Sequence, residues 1–116
     1  MTYYSGFVLS VPADKRDDYA DHAVKAWPMF KRHGALRMVE CWGEDVPHGK
    51  RTDFYRATEA TGDEVPVLSW IEWPDRATAD AAWAAMMTED HPDMADMPFD
   101  GARMFWGGFA PIVDLR

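Results

Sequence analysis

The sequence predicts an α+β fold of the ferredoxin-like βαββαβ type, with an antiparallel sheet and two helices on one of its faces. Four segments are rich in aromatic and branched residues, which is typical of strands. Two segments carry apolar residues at helical spacing, and proline or glycine stands at most of the boundaries. Repeats, linkers and low-complexity tracts are absent, so residues 1–116 are predicted to form a single domain.

The first strand is predicted over Tyr3–Val11, where Pro12 ends it. A helix follows over Ala13–His33, with an apolar stripe made of Tyr19, Ala23, Ala26, Trp27 and Phe30. Gly34 supplies the left-handed residue that closes this helix, and Pro28 is expected to bend its last turn.

The second half repeats this alternation. Strands are predicted over Ala35–Glu44, Val65–Trp73 and Met104–Val113, and Thr52–Ala57 is a candidate for a short extra strand. Pro74 and Asp75 end the third strand and begin a helix, whose apolar stripe comprises Ala79, Ala82, Trp83, Met86 and Met87.

The predicted sheet is apolar on both faces. In the third strand Val67 and Ile71 share one face, while Leu68 and Trp70 share the other. One layer of helices covers only one face, and a large exposed apolar patch is rare on a soluble monomer. We therefore expect a homodimer in which a second copy covers the open face about a twofold axis.

Charge and composition exclude several classes of function. The net charge is −8, and residues 61–116 carry all of it, so a phosphate backbone would be repelled and no nucleic-acid partner is expected. The single Cys41 gives no support for an oxidising compartment. The sequence lacks a signal-peptide pattern and any apolar run of about 20 residues, which favours a cytoplasmic protein without a membrane partner.

Three residues are candidates for catalysis. Glu40 could act as a base if it is desolvated, Arg37 could anchor a carboxylate, and His33 could transfer a proton. Arg37 and Glu40 lie three residues apart and so should project from opposite faces of their strand. A salt bridge is the alternative for each of these two, and a cap at the end of the helix is the alternative for His33.

Ligand-binding candidates are Arg37, Ser69, Trp70 and Arg103, which would act in a cavity between sheet and helices. The alternative for Trp70 is the core or a dimer interface. For Cys41 a buried hydrophobic role is favoured over that of a nucleophile.

The acidic segment 89–100 is predicted to be a loop. Its Asp90, His91, Asp93 and Asp96 resemble a site for a hard metal, but they lack the spacing of a calcium loop and its closing glutamate. We therefore expect a solvated loop, which could also act as a lid over the cavity. Neither a metal nor another cofactor is expected.

Several motifs resemble the bacterial domain-of-unknown-function 1428 family. They are His33-Gly34-Ala35-Leu36-Arg37, Val39-Glu40-Cys41, Val46-Pro47, Gly49-Lys50, Ser69-Trp70-Ile71, Met97-Pro98-Phe99-Asp100-Gly101, Arg103-Met104 and Gly107-Gly108-Phe109. The resemblance implies the dimeric α/β-barrel superfamily, in which two ferredoxin-like protomers pack their sheets together.

That superfamily includes cofactor-free monooxygenases, haem-degrading enzymes and lactone isomerases, but the family has no established catalytic residues to transfer. We therefore expect a cofactor-independent small-molecule enzyme of monooxygenase or isomerase type. A non-catalytic binding or sensing dimer with the same cavity is the alternative, and a dimeric scaffold is a third class. All three rest on fold analogy.

Overall fold

The computed structural model describes residues 1–89 and 97–116. Its strands are β1 (Tyr3–Val11), β2 (Arg37–Trp42), β3 (Val65–Trp73) and β4 (Phe105–Phe109). Its α-helices are α1 (Arg16–Arg32), α2 (Phe54–Ala57) and α3 (Arg76–Met86), and short 3-10 turns lie at Ala13–Lys15 and Gly101–Arg103. The strands form an antiparallel sheet in the order β2-β3-β1-β4. This α+β arrangement is compatible with a ferredoxin-like fold.

Most predicted elements are present, with shifted boundaries. β3 has the predicted limits, whereas β4 ends at Phe109, four residues before the predicted end. Pro28 lies inside α1, and Gly34 follows the helix with φ +104°, the left-handed conformation that the sequence predicts. Among the described residues, no helix is long and apolar enough to cross a membrane.

The prediction of a short strand over Thr52–Ala57 is wrong. Residues 54–57 form the single-turn helix α2, because the Asp53 carboxylate accepts a hydrogen bond from the backbone N–H of Arg56 at 2.8 Å. The same side chain accepts the N–H of Gly49 at 3.0 Å. Asp53 therefore caps the helix, a role that the alternation of apolar residues does not reveal.

Strand register divides the sheet into two faces. Phe7 pairs with Ser69, and Glu40 pairs with the same Ser69 from the other side, so these three side chains share one face. That face is covered by α1 and α3. The buried core lies there and comprises Leu9, Val11, Tyr19, Ala26, Val67, Ile71, Trp73, Ala79, Ala82 and Met86.

A single buried hydroxyl joins the sheet to α3. Ser5 Oγ accepts hydrogen bonds from Trp73 Nε1 at 3.0 Å and from Trp83 Nε1 at 3.3 Å. Trp73 is fully buried on β3, and Trp83 packs from α3 with its ring centroid 6.1 Å away. Ser5 thus provides an acceptor for two indole N–H groups inside the core.

The opposite face of the sheet, which we call the open face, is covered at one end only. There Ser10 Oγ lies 2.6 Å from Thr58 Oγ1, just after α2, and both residues are buried. Beyond that end, Leu68, Phe105 and Phe109 are 45%, 44% and 60% exposed. The face is therefore apolar and accessible in the protomer, as the sequence predicts.

Candidate functional site

A cavity of about 220 Å³ lies between the sheet and the helices. Its wall is mainly apolar and aromatic, and the chain places four polar side chains in it: Tyr19, His22, Glu40 and Ser69. The remaining lining residues are Phe7, Leu9, Ala23, Ala26, Phe30, Met38, Ile71, Trp83, Met97, Phe99 and Met104. The cavity is partly open to solvent, and a concave, mainly apolar space with a few converging polar groups is typical of a small-molecule site.

Helical spacing brings two of the polar groups together. Tyr19 and His22 are three residues apart on α1 and so lie on the same face. The ring of Phe99 meets both of them edge-on, with centroid distances of 5.6 Å to Tyr19 and 6.0 Å to His22. The two alanines of this face, Ala23 and Ala26, leave room for the cavity beside them.

Glu40 is the acidic group of the cavity. Its Oε2 accepts a hydrogen bond of 2.6 Å from the Tyr19 hydroxyl, and its side chain is also hydrogen-bonded to Ser69 on the neighbouring strand. Burial raises the pKa of Glu40, and the two hydrogen bonds oppose that rise without cancelling it. Burial, the charge of Glu40 and this hydrogen bond raise the pKa of Tyr19, so the phenol stays protonated and donates.

His22 has a ring nitrogen without a hydrogen-bonding partner in the described part of the chain. Its Nε2 is buried, and none of the described residues offers it a hydrogen-bonding partner. Burial, and then the nearby charge of Lys25, lower the pKa of His22, so its imidazole is neutral at pH 7. Buried polar atoms are normally paired, and an unpaired one inside a cavity is a place where a ligand group can bind.

The described lining of the cavity contains neither lysine nor arginine. Arg16 and Asp17 lie in an adjoining groove that also touches Tyr19 and Glu40, and they are 4.0 Å from each other. The cavity can therefore supply proton transfer and hydrogen bonds, but it offers no cation to hold a carboxylate or phosphate.

Of the sequence-predicted site residues, Glu40 and Ser69 line the cavity together, and the others lie elsewhere. Arg37 is exposed at an open-face position of the edge strand β2, opposite Glu72 on β3, and it also lines a separate groove that Glu40 touches. Trp70 is half-buried on that same open face. Arg37 and Glu40 thus have opposite parity on β2, as their spacing predicts, although both border the groove along the edge of this strand.

His33 ends α1 outside the cavity. Its Nε2 lies 2.7 Å from Glu89 Oε1, and Arg32 Nη2 lies 2.8 Å from the other oxygen of that carboxylate. This ion-pair cluster, with His33 at the helix C-cap, corresponds to the structural alternative that the sequence leaves open for this residue.

Arg103 also lies outside the cavity, where it holds two loops together. It makes two 2.7 Å hydrogen bonds to the carboxylate of Glu64, a third of 3.0 Å to Asp100 and a fourth of 2.7 Å to the carbonyl of Glu59. These contacts raise the pKa of Arg103 and lower that of Glu64 to about 2. Four of its five N–H donors are engaged in these contacts, so its role here is to join the two loops.

The metal-like set Asp90, His91, Asp93 and Asp96 lies outside the described residues. Within residues 1–89 and 97–116, no three His, Cys, Asp or Glu side chains are grouped so that they could hold a metal ion.

Sequence reasoning missed the pairing of Tyr19 with Glu40. Two signals could have indicated it: a tyrosine in the apolar stripe of a helix needs a partner for its hydroxyl, and Glu40 alternates with Met38 and Trp42 on the buried face of β2. His22 lies near the apolar stripe of α1, but whether its ring nitrogen has a hydrogen-bonding partner depends on tertiary packing, which the sequence pattern does not show.

Comparison with known proteins places the chain in a family. Residues 2–101 match the model of the family described as "Protein of unknown function (DUF1428)", and the chain belongs to this family. It is 52% identical over 118 residues to the "Uncharacterized protein YbaA" of Escherichia coli strain K12, which covers 98% of this chain and 99% of the relative. The same identity and coverage hold for YbaA of Shigella flexneri. The family resemblance predicted from the motifs is thus confirmed.

Proposed function

We propose that this protein is a cofactor-independent isomerase of small molecules, with Glu40 as the group that moves a proton. The single observation that supports this most directly is a carboxyl group inside an apolar cavity, 2.6 Å from a buried phenol. A general base works best when its pKa lies near the working pH, and burial raises the pKa of Glu40 in that direction. Tyr19 and Ser69 would act as positioning residues that hold the carboxyl in place.

The proposed step is a proton shift between two carbon atoms. In a β,γ-unsaturated lactone, Glu40 would take a proton from the α carbon, and the double bond would move from the β,γ to the α,β position. Glu40 would then return the proton to the γ carbon, so that atoms and electrons balance without an oxidant or a reductant. The His22 Nε2 could donate a hydrogen bond to the carbonyl oxygen, on which negative charge develops.

The test uses α-angelica lactone, a five-membered β,γ-unsaturated lactone whose conjugated isomer is distinguished by proton NMR. We expect the wild-type protein to accelerate the conversion over buffer at pH 7. Glu40→Gln should reduce this acceleration at least about 100-fold, since a positioned general base contributes roughly 10² to 10⁴ in rate.

The matched control is Glu72→Gln, which changes a glutamate on the open face of β3. It should leave the rate unchanged, and circular dichroism should show that both variants are folded. Equal rates for wild type and Glu40→Gln would contradict the proposed role of the carboxyl. Binding of the lactone without any conversion would favour the alternative, a non-catalytic binding protein that uses the same cavity.

We also propose that the protein acts as a homodimer in which a second copy covers the open face. The exposed Leu68, Phe105 and Phe109 support this, because two identical apolar faces are complementary to each other about a twofold axis. The segment after β4 adds Ile112 and Leu115, which are 97% and 88% exposed in the protomer. An isolated protomer would leave all these groups in water.

Sedimentation equilibrium at micromolar concentration tests the assembly. The wild-type protein should have about twice the protomer mass of 13.2 kDa. Leu68→Asp, which puts a charge on the open face, should shift it to the protomer mass, whereas Val24→Asp on the exposed side of α1 should not. A wild-type protein that sediments as a protomer would refute the proposal.

A further inference from the structure

We propose that the ligand of the cavity is an uncharged molecule built on one ring, with a single oxygen function that hydrogen-bonds to His22 Nε2. This inference rests on the proposed function and specifies the chemical class of its substrate. Three properties of the cavity lead to it: the volume, the placement of its polar atoms and its charge.

The volume limits the size of the ligand. The cavity measures about 220 Å³, and an apolar protein cavity of about 150 Å³ accommodates one benzene molecule. One ring with one or two small substituents therefore fills the cavity, and a fused three-ring system would extend out of it into solvent. The aromatic walls supplied by Phe7, Phe30 and Trp83 suit the faces and edges of such a ring.

The polar atoms define a head-group position. Tyr19 and Ser69 are already engaged with Glu40, whereas the Nε2 of His22 has no hydrogen-bonding partner among the described residues. A neutral imidazole nitrogen can donate or accept according to its tautomer. A hydroxyl or carbonyl oxygen satisfies it, and the contacts of Phe99 with both Tyr19 and His22 place the two polar side chains at one part of the wall.

The charge of the cavity excludes anions. Glu40 is the acidic side chain of the lining, and the described lining contains no Lys or Arg to compensate for a second negative charge. The neighbouring cations lie outside this lining: Arg16 lies beside Asp17 in the adjoining groove, and Lys25 and Arg37 are exposed. The guanidinium of Arg103 is held by Glu64 and Asp100. A carboxylate ligand would be buried without a partner, which is strongly unfavourable.

Calorimetric titration at pH 7 with three probes of similar shape tests this inference. The probes are p-cresol, which is neutral and has one hydroxyl, p-xylene, which has no polar group, and 4-methylbenzoate, which is an anion. We expect p-cresol to bind about tenfold more tightly than p-xylene, because one buried hydrogen bond is worth roughly 1 to 1.5 kcal/mol. The anion should bind at least 100-fold more weakly than p-cresol.

Variants link the head group to His22. His22→Phe should lower the affinity for p-cresol to that for p-xylene and leave p-xylene within about twofold. The matched control His48→Phe changes an exposed imidazole that stacks on Tyr55, and all three affinities should be retained.

Equal binding of 4-methylbenzoate and p-cresol would overturn the inference about charge and leave the proposed function intact. Equal binding of p-cresol and p-xylene to the wild type would overturn the head-group assignment alone. If none of the probes, nor the lactone, bound to the folded protein, the proposed function would fail together with the inference.

Discussion

Removal of the Ser5 hydroxyl should destabilise the protein more than its small size suggests. In Ser5→Ala, the indole N–H groups of Trp73 and Trp83 lose their acceptor at 3.0 and 3.3 Å. A buried donor left unsatisfied costs about 1 to 3 kcal/mol. Trp73 is fully buried, whereas Trp83 is partly buried and makes the longer bond, so its share lies at the low end. We expect a loss of about 2 to 4 kcal/mol in the free energy of unfolding.

Ser10→Ala is the matched control, because it removes an equally buried hydroxyl from the same strand. Ser10 Oγ has Thr58 Oγ1 as its side-chain partner, and that hydroxyl also donates to the carbonyl of Phe54 at 2.7 Å. No donor is left unsatisfied in this variant, and we expect a loss of about 0.5 to 1.5 kcal/mol.

Equilibrium unfolding in urea, followed by circular dichroism, measures both values. All samples should have the same protein concentration, since association would add to the apparent stability. Equal losses for Ser5→Ala and Ser10→Ala would refute the reasoning, because it assigns the difference to the two indole donors.

Three further predictions concern other parts of the fold. Arg103 lowers the pKa of Glu64 from 4.5 to about 2, so this pair should stabilise the protein above pH 4.5, and the stabilisation should disappear between pH 4.5 and 2. When the stability of Glu64→Gln is measured across the same pH range, this loss of stability should be absent. Gly34→Ala should cost about 1 to 2 kcal/mol in urea unfolding, because φ is +104° and the new Cβ would lie 2.7 Å from Thr78 Cγ2; an unchanged midpoint would contradict this. Burial raises the pKa of Glu40 above its ordinary 4.5, so the folded state binds the proton more tightly than the unfolded state does. The stability of the wild type should therefore fall as the pH rises past 4.5. Between pH 4 and 8, the urea midpoint of Glu40→Gln should increase relative to that of the wild type.

The order of elements could be predicted because each one has a local signal. β3 is rich in branched and aromatic residues and ends before Pro74, and Gly34 marks the end of α1 through a conformation that glycine adopts readily. The end of β4 lacks such a signal: the branched residues Ile112 and Val113 favour a strand, but pairing with β1 ends at Phe109. The turn around Asp53 was misassigned because a cap depends on one side chain and not on a pattern.

Less of the site could be predicted. Strand parity correctly keeps Arg37 out of the cavity that Glu40 lines, and Ser69 follows from its pairing with Glu40. The partner of Glu40, however, depends on how α1 crosses β2, and the partner of Arg103 lies 39 residues away in sequence. Contacts of this kind are set by tertiary packing, for which a single sequence has no local signal.

Burial of the Glu40 carboxyl is energetically unfavourable at this position, and this supports a functional explanation. A leucine there would suit the apolar lining of the cavity and would need no hydrogen bonds, whereas the carboxyl occupies the hydroxyls of Tyr19 and Ser69. A structural ion pair cannot account for it, since none of the described cations bonds to it. Destabilised, pKa-shifted groups in apolar cavities are characteristic of sites that transfer protons or bind ligands. His22, on the same face of α1 as Tyr19, lines this cavity too, and its Nε2 has no partner within residues 1–89 and 97–116. One bound molecule would account for both the carboxyl and this nitrogen.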